Sequence, residues 1–138
     1  MPTLLIACGN TLRRDDGVAH QVLQLLPAAS GRVVRSVHQL TPELAQEIAC
    51  FDLVVFLDAD TALLRPAIEP IGALAQRSPL THAATPAEIV ALARTLFGFT
   101  GEALLCRIPA RDFAFADALS PDGLKFAEQA ADELRNFI

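Results

Sequence analysis

Four acids and one imidazole in this 138-residue chain stand just past apolar runs or just ahead of a helix. Asp15 and Asp16 follow Thr3–Cys8, Asp58 and Asp60 close the run Phe51–Leu57, and His82 precedes Thr85-Pro86-Ala87-Glu88. Two carboxylates and an imidazole converging on one edge make an oxygen and nitrogen set suited to a borderline divalent ion, and such sites bind nickel above manganese, iron or cobalt. Each residue also has a plainer reading. Asp15 and Asp16 suit the positive end of a helix. Asp58 is harder to explain structurally, because an acid at the end of an apolar strand tends to face a crevice. A loop histidine such as His82 commonly serves no ligand, and His20 and His38 read as structural, although His38 lies on the same expected edge.

The elements that must position these residues are legible from patterning. Thr3–Cys8 (TLLIAC) is continuously apolar, as in a strand buried on both faces of a parallel sheet, and Gly9-Asn10 ends it with residues tolerant of left-handed backbone. Val18, Ala19, Val22, Leu23 and Leu26 recur at helical spacing. Arg32–His38 reads as a second strand, Thr41-Pro42-Glu43 as the start of a short helix reaching Ala49, and Phe51–Asp58 as the third strand. The ten residues from Thr61 to Pro70 show no helical period. A connection that short does not accommodate a parallel crossover, so a fourth strand over Ile71–Gln76 is expected to run antiparallel. Thr85 and Glu88 form a capping-box pattern opening a helix to Phe97. Ala103–Ile108 is the fifth strand. Ser120-Pro121-Asp122 opens a last helix, whose stripe is read as Leu124, Ala127, Ala131, Leu134 and Phe137. The order β-α-β-α-β-β-α-β-α predicts one α/β domain over residues 1–138, a three-layer sandwich around a mixed five-stranded sheet.

Composition narrows the function classes. A hydrophobic content of 52% suits a sheet covered on both faces. The net charge of −5 disfavours a polyanionic partner, which needs clustered cations, so no nucleic-acid binding is expected. No apolar run approaches the length of a membrane span, and the Met-Pro-Thr start followed by a run ending at Gly9 lacks the form of a secretory signal. A cytoplasmic protein is expected. Cys8, Cys50 and Cys106 lack metal-site spacing and read as buried, reduced thiols. The G-x-G-x-x-G dinucleotide fingerprint is absent.

The stretch GNTLRRDDGVA after the first strand, FLDAD at the end of the third, and His82 before a capped helix together resemble the nickel-iron hydrogenase maturation proteases. The most specific match is to that family's G-N-x-L-x-x-D-[DE]-[GA] motif, carried by Gly9, Asn10, Leu12, Asp15, Asp16 and Gly17. The resemblance implies an α/β/α sandwich of phosphorylase/hydrolase-like type with one antiparallel strand. It implies nickel ligation by Asp16, Asp58 and His82, the nickel being supplied by the substrate. The implied activity is removal of a C-terminal peptide from a nickel-loaded hydrogenase large-subunit precursor, with the metal as recognition mark. Where well-known members carry a Gly-rich D-G-G-T segment after the second strand, this chain has His38-Gln39-Leu40-Thr41-Pro42-Glu43-Leu44. Gly9, Asn10 and His38 are accordingly assigned to the substrate-facing loops.

No Ser-His-Asp or Cys-His constellation can be assembled, so water is the expected nucleophile, activated by the ion or by Asp15, with Asp16 as the other catalytic acid. Asn10 is expected to bond the loop backbone and turn the acids inward. Two other readings fit the acids. A receiver-type domain also pairs an acidic doublet with an Asp ending the third strand. Against it, Gly9–Arg14 separate the doublet from the first strand and no Lys follows the fifth. The other is a metal-binding scaffold of the same fold without activity.

Overall fold

The computed structural model describes residues 2–71 and 84–138. Five strands form one sheet: β1 (Thr3–Cys8), β2 (Arg32–Val37), β3 (Leu53–Asp60), β4 (Ala67–Pro70) and β5 (Glu102–Pro109). The helices are α1 (Val18–Leu25), α2 (Leu44–Ile48), α3 (Pro86–Leu96) and α4 (Pro121–Leu134), with a single 3₁₀ turn at Arg14–Gly17 ahead of α1. The strand order is β2-β1-β3-β5-β4, and every pairing is parallel except β4 on β5.

Alternation along the strands builds two cores. Leu5 and Ala7 of β1 with Val55 and Leu57 of β3 pack under α1 and α4, against Val18, Val22, Ala127 and Leu134. Leu4 and Ile6 with Val54 and Phe56 pack under α2 and α3, against Ile48, Ile89 and Ala93. Both faces of the central strands are therefore dry, which is why their sequences are unbroken apolar runs. Phe56 is among the largest fully buried side chains, and removing its ring would cost about 3–5 kcal/mol.

The fourth strand is antiparallel, as its short connection requires, but it lies at Ala67–Pro70 rather than from Ile71 onward. Pro70 is compatible with strand structure because β4 is an edge strand, where a missing N–H costs no ladder bond. Ile71 prolongs the pairing through its N–H to the Ala103 carbonyl at 3.0 Å, and residues 72–76 of the expected strand lie outside the described residues. In α4 the buried face is Gly123, Ala127, Ala130, Ala131 and Leu134. Leu124 and Phe137, expected on that stripe, are 44% and 47% exposed. Small residues there let the helix lie close to its neighbours, a contact that a search for large apolar side chains overlooks. Cys50 is likewise exposed rather than buried, Cys8 is half-buried and Cys106 is buried, all three as free thiols. Among the described residues no helix is long and apolar enough to cross a membrane.

Candidate functional site

The carboxyl ends of β1 and β3 meet at one edge of the sheet, and the loop leaving β1 folds back over them. Gly9 makes that return possible. Its backbone lies at φ +151, and a Cβ there would sit 2.0 Å from the Asp16 carbonyl oxygen, so only glycine lets the strand end approach the acidic turn. Asn10 then fixes the loop: its side-chain oxygen accepts the Leu12 N–H at 2.9 Å, and its own N–H donates to Asp16 Oδ2 at 2.8 Å. The first bond is the expected Asx-type turn. The second aims the Asp16 carboxylate. His20 of α1 braces the same loop, its Nε2 lying 2.9 Å from the Gly9 carbonyl oxygen, so that nitrogen carries the proton. Arg14 passes through left-handed backbone at φ 46, a conformation costing about 1–2 kcal/mol. Its N–H bond to the Ala116 carbonyl at 3.0 Å and its 3.1 Å ion pair with Asp112 hold it there.

The two members of the doublet face different surroundings. Asp15 is 1% exposed. It accepts the Ser120 N–H at 2.9 Å, the Ser120 hydroxyl at 2.7 Å and the Asp112 N–H at 3.3 Å. Burial pushes its carboxyl up, but the Ser120 hydroxyl and these amides outweigh burial and hold it below the ordinary range. Gly123 is required alongside, because a Cβ there would stand 2.4 Å from Asp15 Oδ1. The carboxylate expected to activate water is thus directed to the start of α4, and its hydrogen-bonding capacity is spent there. The sequence marks Ser120 only as the opening of the last helix. It also caps, accepting the Gly123 N–H at 3.0 Å, but its bond to Asp15 joins segments 105 residues apart, a link without a local sequence signal.

Asp16 and Asp58 lie near enough for their charges to interact. Asp58 shares the face of β3 occupied by Val54 and Phe56, and its Oδ1 accepts the Ala59 N–H at 2.9 Å. Burial pushes its carboxyl up to about 6, with the charges of Asp16 and Asp60 adding to the shift and the Ala59 N–H opposing it. Two like charges at one partly desolvated edge are the electrostatic condition that a bound cation relieves. Asp60 belongs to a different arrangement: its carboxylate accepts the Ala62 N–H at 2.8 Å and pairs at 3.3 Å with Arg107, which also pairs with Glu69 at 2.6 Å. That network ties the end of β3 to β5 and β4.

Cys8 joins the carboxylates. Continuing the β1–β3 register past Ala7 and Leu57 places it beside Asp58 on the same face. Its thiol is pushed up to about 11, by burial first and then by the charges of Asp58 and Asp16, against a backbone hydrogen bond from Leu40. Its position at the end of an apolar run gave no sign of this. Exposed His38 contributes its carbonyl, which lies 3.7 Å from Cys8 Sγ. His82 lies outside the described residues, three positions before Thr85, whose capping box with Glu88 starts α3. Among the described residues no three His, Cys, Asp or Glu side chains form a ready metal cluster. The described part of the site is therefore two carboxylates and the loop that aims them.

No family model matches the chain, and no curated protein matches it. Solved structures do. The NiFe hydrogenase maturation protease HycI from Thermococcus kodakarensis superposes with a TM-score of 0.73 at 17% identity, over 98% of this chain and 90% of the other. The hydrogenase maturating endopeptidase HybD from E. coli gives 0.69 at 16% identity over 99% and 94%. An uncharacterized protein from Wolinella succinogenes gives 0.69 at 21% identity over 99% and 96%. The chain thus has the fold of the hydrogenase maturation proteases, end to end. A receiver of the flavodoxin-like type orders its strands 2-1-3-4-5, whereas here β5 is inserted between β3 and an antiparallel β4.

Proposed function

We propose that this protein is a peptide-bond hydrolase of hydrogenase maturation, removing the C-terminal extension of a nickel-loaded large-subunit precursor. The observation that carries the reading is the charge interaction between Asp16, in the turn after β1, and Asp58, near the end of β3, with the Asp58 carboxyl pushed up to about 6, by burial first. The fold likeness, with Gly9, Asn10, Asp15, Asp16 and Gly17 in the loop after β1, adds to it. The proposed donors, the Asp16 and Asp58 carboxylates with the His82 imidazole as third protein ligand, are of the oxygen and nitrogen kind that suits nickel carried by the substrate. When present, that ion would polarise the scissile carbonyl or a water.

What the chain itself does follows from its groups. Asp16, aimed by the Asn10 N–H, and Asp58 bind and orient. Asp15 acts through position, fixing the loop to α4. Ser120 is unsuited as nucleophile, because its hydroxyl donates to Asp15 and accepts from Gly123. Water remains the attacking group.

The test is incubation with a nickel-loaded precursor followed by intact mass measurement. Loss of the C-terminal segment with wild type, and none with Asp16→Asn, is expected. An intact precursor after prolonged incubation with wild type would refute the assignment.

A further inference from the structure

Behind the acidic loop lies a half-open cleft of about 300 Å³, walled by the loop after β1, by α1, and by the segment leading into α4. It is separate from the carboxylate pair but shares its support. Thr11 and Gly17 line the cleft from the two flanks of Asp16 in sequence, and His20, which bonds the Gly9 carbonyl, lines it from α1. Its size is at the lower end of the range for specific pockets, about 300–1,000 Å³.

The lining chemistry is that of a peptide seat. The side chains of Thr11, Gln21 and Gln24 line it and make no hydrogen bond among the described residues, although each can both donate and accept. Gln21 and Gln24 are three apart on α1, which puts them on one face with Cβ atoms about 5–6 Å apart. Groups on one side of an extended chain repeat at about 6.7 Å, two residues of strand rise. Two flexible carboxamides on one helix face can donate to and accept from the N–H and C=O groups of an extended backbone. Leu119 and the 44% exposed Leu124, in the first turn of α4, supply an apolar floor. Arg14 and Asp117 add one charge of each sign, so the lining suits a ligand with a polar backbone and one apolar side chain.

We infer that this cleft seats an extended stretch of the precursor adjoining its scissile bond. The inference rests on the proposed protease function: the chain on one side of the cut must leave the carboxylate edge across neighbouring surface, and this recess shares its wall with the Asp16 loop.

Two measurements test it together. A photo-crosslinking p-benzoylphenylalanine introduced at Gln24 should capture the precursor, whereas the same group at exposed Ala91 on α3, in the other helical layer, should not. The double variant Gln21→Ala, Gln24→Ala should raise KM for cleavage roughly tenfold with kcat nearly unchanged, the signature of lost ground-state binding. Cleavage by wild type with an unaltered KM in the double variant and no crosslink from position 24 would overturn the cleft assignment and leave the protease function standing. Absence of cleavage by wild type would overturn both.

Discussion

Replacing Asp58 with Asn is expected to make the metal-free protein more stable at pH 8. The Asp58 carboxyl titrates near 6 in the folded chain against an ordinary 3.8, so the folded state binds this proton more tightly than the unfolded chain does. The sign follows by linkage. Above pH 6 the ionised carboxylate costs the fold free energy, and that cost is relieved as pH falls through 6, fully so below about 4. About two units at 1.36 kcal/mol each give roughly 3 kcal/mol as an upper bound. Asp58 keeps some contact with solvent, so about 1–2 kcal/mol is a fairer figure. Asn retains the acceptor for the Ala59 N–H and removes only the charge. At about 4 °C per kcal/mol for a domain of this size, the variant should melt roughly 4–8 °C higher at pH 8 with chelator present, and the gap should close towards pH 4. Thermal unfolding followed by circular dichroism across that range is the assay. A variant melting at or below wild type at pH 8 would refute the claim that the fold carries this charge at a cost.

The other acid of the doublet should behave oppositely. Asp15→Ala should cost about 2–4 kcal/mol in denaturant unfolding, since it strands the buried Ser120 and Asp112 donors. Because the Asp15 carboxyl is held low, its contribution is present above pH 4 and lost as pH falls through its depressed value, so Asp15→Asn should flatten the acid limb of the stability curve. Gly9→Ala should weaken nickel binding about 10–100-fold by displacing Asp16, measured by titration calorimetry with the fold checked in parallel. His82→Ala should weaken the same titration, and equal affinity in variant and wild type would remove His82 from the ligand set. Nickel affinity of wild type should fall as pH drops below 6, since the ligands bind unprotonated.

Much of this architecture was legible in the residue pattern, because strands dry on both faces must be continuous apolar runs, and β1 and the first five residues of β3 are. The capping box at Thr85 and Glu88 marked its helix start for a local reason, two bonds within four residues. Where the reading slipped, the cause was tertiary. The expected fourth strand starts at Ile71, whereas pairing at the sheet edge, where the missing N–H of Pro70 costs no ladder bond, places it at Ala67–Pro70, and the small-residue face of α4 is hidden behind the larger, exposed Leu124 and Phe137. In the site, the pairing of Asp16 with Asp58 was foreseeable from two acids beyond adjacent parallel strands. The division of labour within the doublet was not. Asp15 and Asp16 are chemically alike and adjacent, and only the approach of Ser120, 105 residues along, turns one of them into the core. Cys8 beside Asp58 likewise follows from strand register, which a single strand does not reveal.

The central claim is that Asp16 and Asp58 engage the nickel of an incoming precursor so that its C-terminal extension can be hydrolysed. The most direct measurement is the intact mass of a large-subunit precursor, prepared with and without nickel, after incubation with wild type, Asp16→Asn and Asp58→Asn. The account predicts loss of the extension only from the nickel-loaded form and only with wild type. Cleavage that proceeds equally without nickel, or undiminished in both variants, would contradict it.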